Sequence, residues 1–298
     1  TMTRNLSITT RYAGTVIIAV VVQVAVLVLL ALSFMQESIV AREEKELEDY
    51  YENVVASLQQ QGVMAQAMSA LVAGIPRVQE AFARGDREAL HEMFVPGFER
   101  LKSEYGVRQF QFHQPPALSF LRVHKPAKHG DDLSSFRHTV VETNTAREPI
   151  TGLEVGVAGL GIRGMVPLGH EGEHQGSVEF GMSFGQPFFD DFTRLHGVQL
   201  GLYLLRGERL EVFGSTIGQE PFLARKSLRG VVNGEPVFRE DHQGATPVAV
   251  YAHEITDYSG KPIGVLELVK DRSFYVAEMS GMRTSMVLVG LVTAVVIG

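Results

Sequence analysis

Val107-Arg-Gln-Phe-Gln-Phe-His-Gln-Pro-Pro-Ala-Leu-Ser-Phe-Leu-Arg-Val-His124 decides the fold class. On either side of Pro115-Pro116 the residues alternate in polarity, the signature of strands with one buried face. Over residues 107–113, Arg108, Phe110 and Phe112 share one face, while Gln109, Gln111 and His113 share the other. Over 118–124, Phe120, Arg122 and His124 oppose Ser119, Leu121 and Val123. The proline pair between them punctuates the two strands.

Strand signals recur at 153–157, 161–168 and 176–184, broken by Gly130-Asp131-Asp132 and by Gly169-His-Glu-Gly172. Residues 133–147 read as a helix whose first turn Ser134 or Asp132 can cap. A helix at 187–196 leads to a smaller set of strands at 198–205, 209–213, 237–240, 247–256 and 263–269, and Asp257-Tyr-Ser-Gly-Lys-Pro262 joins the last two. Two successive antiparallel sets without a close sequence repeat predict an α+β fold of two related modules.

Upstream the period is helical. Ile39, Leu47, Tyr50, Tyr51, Val54, Val55 and Leu58 fall near helical spacing, and no proline occurs before Pro76. One rod to about Gly74 is predicted, bent near Gly62, followed by a helix over 76–94 stopped by Pro96-Gly97 and a short third before Tyr105-Gly106. Residues 13–34 are apolar, with Gln23 the single strongly polar interior residue. That run has the roughly 20 residues needed to cross a bilayer. A second apolar run begins near Ser285 and continues to Gly298, so the chain reads as a fragment of a longer protein carrying the start of a second span. Arg4 and Arg11 precede the first run, and acidic residues from Glu37 follow it. Basic flanks stay on the cytoplasmic side, so the amino terminus is expected inside the cell (inner) membrane and residues 35–284 outside. A cleaved signal peptide fits less well, because the run is long and no small-residue cleavage pattern follows.

The chain has 45% hydrophobic and 20% charged residues and a formal net charge of −7. No basic stripe marks a nucleic-acid partner. Cysteine is absent, which removes disulfides, thiolate metal sites and thiol nucleophiles.

The stretch from Tyr105 to Pro126, then His129-Gly-Asp-Asp-Leu-Ser-Ser-Phe-Arg137, Gly152-Leu-Glu-Val-Gly156 and Gly161-Ile-Arg-Gly-Met-Val-Pro-Leu168, resembles the double Cache sensor region of bacterial methyl-accepting chemotaxis proteins and sensor kinases. The resemblance covers about residues 35–284 and is specific over 105–168. It implies a PAS-like sheet in each module, ligand binding usually in the membrane-distal one, and signalling through the spans. The expected division is a first span at 13–34, a helical stalk at 35–104, a distal module at 105–186, a proximal module at 187–272 and the start of a second span at 285–298. A HAMP linker and an output domain would lie beyond Gly298.

Each strand of the first module carries polar residues in apolar surroundings. If register aligns them, His113, Arg122, His124, Glu154, Arg163 and Glu179 line one side of the sheet. Arginine grips carboxylates bidentately, so the set suits a small carboxylate or an amino acid, with Glu154 or Glu179 receiving an ammonium group. The plain alternative is that these charges pair with each other or meet solvent. Gly152, Gly156, Gly159, Gly161 and Gly164 read as sites of twist and bulging, or of close backbone approach.

His113, His124, His129 and Asp131 lack compact metal spacing, and Asp131-Asp132 reads better as a turn or cap, so no metal or cofactor is expected. His170, Glu173 and His174 fall in a hairpin turn. No nucleophile elbow or phosphate loop is present, and Gly159-Leu-Gly-Ile-Arg-Gly164 lacks the following helix of a dinucleotide site. The expected function is ligand sensing by a homodimeric transmembrane receptor, with acidic and basic residues near the membrane forming inter-subunit contacts and cytoplasmic partners reached through the missing carboxyl-terminal region. The rivals are the sensor region of a histidine kinase or diguanylate cyclase, and a membrane-anchored structural protein with no small ligand.

Overall fold

The computed structural model describes residues 8–156, 159–232 and 234–297. α1 (Ile8–Ala73) is one helix of 66 residues. Val16, Ile18, Val22, Leu27, Leu29 and Leu30 are exposed along its early part. Among the described residues α1 is the one helix long and apolar enough to cross a membrane, within Gly14–Ala73. Farther on, Tyr51, Val54, Leu58, Ala65, Ser69 and Val72 are buried. Their three-, four- and seven-residue spacing marks the face of a helix that packs on a core.

α2 (Pro76–Ala83) ends before Gly85, and Asp86 starts α3 (Arg87–Glu104) by accepting the Ala89 amide at 3.0 Å. The single helix expected over 76–94 is therefore two helices, and Pro96 lies inside the second instead of ending it. A proline there forfeits one backbone hydrogen bond. Phe94 and Phe98 hold the helix in place on either side, with ring centroids 5.0 and 6.5 Å from Phe110.

The first sheet contains β1 (Val107–Gln114), β2 (Leu118–Arg122), β3 (Ile150–Gly156), β4 (Gly159–His170) and β5 (Glu173–Met182), in the order β2-β1-β5-β4-β3. Alternation puts Phe110, Phe112, Val178, Phe180 and Ile162 on its apolar face, where Phe110 stacks on Phe180 at 4.1 Å. α1 packs there. Gly164 lies against the α1 backbone at Ala65 and Gln66, where a Cβ would collide. Beside it the Ser69 hydroxyl donates to the Gly164 carbonyl at 2.7 Å and accepts the Phe180 amide at 3.0 Å, bridging the β4–β5 seam. α4 (His138–Ala146) is shorter than the helix expected over 133–147, because residues 134–136 form a turn before it.

α5 (Gln186–His196) leads into β6 (Val198–Arg206), β7 (Arg209–Ser215), α6 (Arg225–Val231), β8 (Val237–Gln243), β9 (Thr246–Thr256) and β10 (Pro262–Asp271). The second sheet has the order β7-β6-β10-β9-β8. α6 escaped the sequence reading, since seven residues scarcely establish a helical period. Glu267, fully buried on β10, accepts the Tyr203 hydroxyl at 3.0 Å and the Phe222 and Leu223 amides at 3.0 and 2.7 Å. Burial raises its pKa against those three donors.

The chain resolves into two compact units. One comprises Asp49–Val237 and Ala252–Val269; the other holds the chain up to Glu48, Phe238–Tyr251 and the segment from Lys270 onward. In the latter, α7 (Ser273–Ile297) runs beside α1, with Arg283 donating to Gln36 at 3.1 Å. Arg272 closes on Glu43 at 3.0 Å and on Glu240 at 2.5 Å, while Glu46 takes Lys270 and, at 2.6 Å, the Tyr275 hydroxyl. Glu43 and Glu46, expected to face a second subunit, are engaged within the chain.

Candidate ligand-binding site

The other face of the first sheet carries the polar chemistry. Gln111 stands opposite Glu179 on β5 and opposite Arg122 on β2. Arg163 stands opposite Gly181, and Glu154 opposite Gly161. The expected alignment of polar residues on one side therefore exists. The segment between β2 and α4 closes over it, anchored by Leu133, which clusters with Val140 of α4, Ala117 and Met165. Asp132 caps the turn within that segment, accepting from the Ser134 amide at 2.9 Å. Asp131 instead grips Arg122 through both oxygens, at 2.7 and 2.8 Å.

A buried ionic floor lies beneath. Glu179 has no solvent exposure and stands 2.8 Å from His113 Nε2, 2.8 Å from Arg137 Nη2 and 3.2 Å from Arg163 Nη1. Arg137 Nε donates to Glu154 at 2.7 Å, and the Thr139 amide and hydroxyl donate to its other oxygen at 2.9 and 3.0 Å. Arg163 also donates to Gln109 Oε1. Two guanidiniums thus match two carboxylates, which is what buried charge requires.

Burial pushes the Glu179 carboxyl upward, yet Arg137, His113 and Arg163 together hold it well below the usual range. Burial lowers the His113 pKa, more than its hydrogen bond to Glu179 raises it, so the imidazole is neutral near pH 7. For Arg137 the downward pull of burial is overcome by Glu179 and Glu154, and its pKa rises. Gly161 and Gly181 make room for Arg163: a Cβ on the first would stand 2.9 Å from its guanidinium carbon, and on the second 2.7 Å from Nη1. These glycines accommodate an arginine of the chain itself.

Above the floor opens a cleft of about 190 Å³ lined by Gln109, Gln111, Arg122, His124 and Arg163 on one side and by Lys128, Asp131, Leu133, Phe136 and Arg137 on the other. Of the six residues singled out in the sequence, Arg122, His124 and Arg163 line this cleft, while His113, Glu154 and Glu179 are buried beneath it. Burial lowers the pKa of His124, whose Nδ1 lies 3.3 Å from the Phe110 carbonyl oxygen. The hydrogen bonds from Arg122 hold the half-exposed Asp131 down to about 2. Arg163 Nε is buried and has no hydrogen-bond partner among the described residues.

Sequence reading missed Arg137, which was placed inside a helix, and passed over Gln109 and Gln111. Charge balance offers a signal for Arg137, because two buried carboxylates on the strands flanking β4 call for a second cation besides Arg163. Among the described residues no three potential ligands converge on a metal position. His113 is committed to Glu179, and Asp131 to Arg122.

Comparison with known proteins places this geometry in a family. Residues 40–275 match the double Cache family described as the double sensory domain of two-component sensor kinase. Comparison with curated protein sequences finds no significant match. Among solved structures, the ligand-binding domain of the Campylobacter jejuni chemoreceptor Tlp3 in complex with 4-methylisoleucine is similar at TM-score 0.52 and 11% identity, covering 80% of this chain and 92% of that one. The same domain in complex with L-valine gives 0.52 and 9%, covering 80% and 95%. The sensor domain of the Vibrio cholerae histidine kinase DctB gives 0.49 and 9%, covering 80% and 98%. At such identities the likeness to Tlp3 is one of fold. Two five-stranded antiparallel sheets behind a long leading helix, together with a family match over most of the length, make this chain a member of the double Cache family of sensory domains.

Proposed function

We propose that the chain is the ligand-sensing portion of a transmembrane chemoreceptor, taking a small polar solute of the carboxylate or amino acid type in the first-sheet cleft. The observation that carries this reading is the convergence of Arg122, His124, Lys128, Asp131 and Arg163 on one small cleft, with Arg163 Nε an unused buried donor. Counting Arg137 in its lining and Glu154 and Glu179 beneath it, the site holds four side-chain cations against three carboxylates and favours a ligand with at least one negative charge. An ammonium group would meet Asp131, half-exposed at the rim and shared with Arg122, in preference to the buried Glu154 or Glu179. The relative Tlp3 is described with 4-methylisoleucine and with L-valine bound, in keeping with an amino acid.

The amino terminus is cytoplasmic in this reading, and residues 35–284 lie outside the membrane, with the first-sheet module distal. Ligand favours one packing of the modules on α1, and the spans carry the shift. Homodimerisation runs along α1, where Ala56, Val63, Met64, Ala67, Ala70 and Leu71 form an exposed stripe at near-heptad spacing. The family description, naming a sensor kinase, favours a second output reading in which the same domain drives a histidine kinase. A phosphoacceptor histidine box in the full-length protein would favour that second reading.

The test is a thermal-shift screen of the detergent-solubilised chain against amino acids, organic acids and amines. At 100 times its Kd a ligand stabilises by about 2.7 kcal/mol, or roughly 5–11 °C at this size. The shift should vanish in Arg122→Ala and Arg163→Ala. If no solute shifts the melt, or both variants respond like the parent, the cleft is not the sensor.

A further inference from the structure

β7 is an edge strand of the second sheet: β6 pairs with it on one side, and among the described residues no strand pairs with the other. β7 and α6 border a groove of about 660 Å³. Leu210, which is buried, and Val212, 38% exposed, line it. Arg209, Arg225, Lys226 and Arg229 surround these, with Glu211 the one acid among the described lining residues, on a chain of formal net charge −7. Arg225 is held in place, paired with Glu220 at 2.8 Å and donating to the Leu210 carbonyl at 2.5 Å. Arg209, Lys226 and Arg229 are exposed and make no ion pair among the described residues.

The Leu210 carbonyl is taken by Arg225, and from Glu211 onward the β7 edge is unpaired among the described residues, a template for another strand. Charge narrows the choice of occupant here. A second copy of β7 would set one basic cluster against another, and like charges across a strand pair repel. An extended segment alternating acidic and apolar residues meets both features at once. With a period of two, an apolar side chain would lie over Val212 while the flanking carboxylates reached the guanidiniums. We propose that the β7 edge and its basic groove dock an extended acidic segment of a partner protein as a sixth strand. This surface is separate from the first-sheet cleft and does not depend on the sensing assignment.

The test uses the full chain in detergent and dye-labelled octapeptides followed by fluorescence anisotropy. A peptide alternating Glu and Val should bind, and its Lys-Val counterpart should not. Raising the salt from about 50 to about 300 mM should weaken binding several-fold by screening. Reversing two rim charges in R209E/R229E should weaken it about tenfold or more, with R209Q/R229Q giving a smaller loss if the reversal impairs folding. N-methylation of alternate peptide amides should abolish binding, because strand addition works through the backbone. Failure of the Glu-Val peptide to bind overturns the proposal. So does equal binding of the N-methylated peptide, or insensitivity to both variants. Binding of short-chain phosphatidylglycerol at this groove in place of the peptide overturns it as well.

Discussion

Substituting Glu179→Gln tests the ionic floor most directly. The amide keeps the shape but leaves His113, Arg137 and Arg163 facing a neutral group, with Glu154 the remaining buried acid for two guanidiniums. Removing one partner of a buried ion pair costs about 3–5 kcal/mol, because the other charge stays behind unmatched. A domain of this size loses about 2–4 °C for each kcal/mol. The melting temperature of the detergent-solubilised chain, followed by circular dichroism, should therefore fall by roughly 6–20 °C. Adding Arg163→Met restores neutrality and should recover about 1–3 kcal/mol relative to the sum of the two single variants. A Glu179→Gln chain that melts within about 1 kcal/mol of the parent, with additive behaviour in the pair, would show that no ionised cluster exists there.

Acid should destabilise the chain in two stages. His113 and His124 have lowered pKa values in the folded protein, so below about 6.5 the unfolded chain binds protons that the native chain refuses. Their contribution is whole above that pH and is lost as the pH falls, whereas the contribution of Asp131 disappears only between about 4 and 2. Melts at pH 5 and pH 7 that coincide would refute the first stage, and His113→Gln should flatten it. Gly161→Ala drives a methyl into the Arg163 guanidinium and should reduce ligand affinity at least fivefold, read by titration calorimetry, while costing about 1–2 kcal/mol of stability. Tyr203→Phe takes one donor from the buried Glu267 carboxylate and should cost about 1–3 kcal/mol in the same melts, and no change would mean that the two amides suffice.

Strand alternation was legible in the sequence because one face of the first sheet is apolar and the other polar. Phe110 and Phe112 against Gln109, Gln111 and His113 fix the face of β1, and the facing strands follow by register. What alternation cannot convey is depth. Arg122 and Glu179 read alike as charged residues in apolar strands, yet one borders a cleft and the other is sealed below it, because the covering segment decides which is which. That segment has no periodic pattern, and its Arg137 contributes through a loop position set by tertiary contacts. The reading at Pro96 failed for a related reason. A local helix breaker was overridden by Phe94 and Phe98, whose burial is a property of the sheet they meet.

The neutral floor has an evolutionary consequence. Arg137, Arg163, Glu154 and Glu179 satisfy one another at the base of the cleft, so changes at Lys128 or Phe136 leave the buried ion pairs untouched. If the cleft takes a solute as proposed, a lineage is free to retune such rim positions one residue at a time, trading one solute for another at the cost of a surface substitution. The floor itself is locked, since any single change there strands a charge. Diversity in what such proteins recognise should therefore accumulate around the lip of the cleft while the foundation beneath it drifts slowly, in compensated pairs.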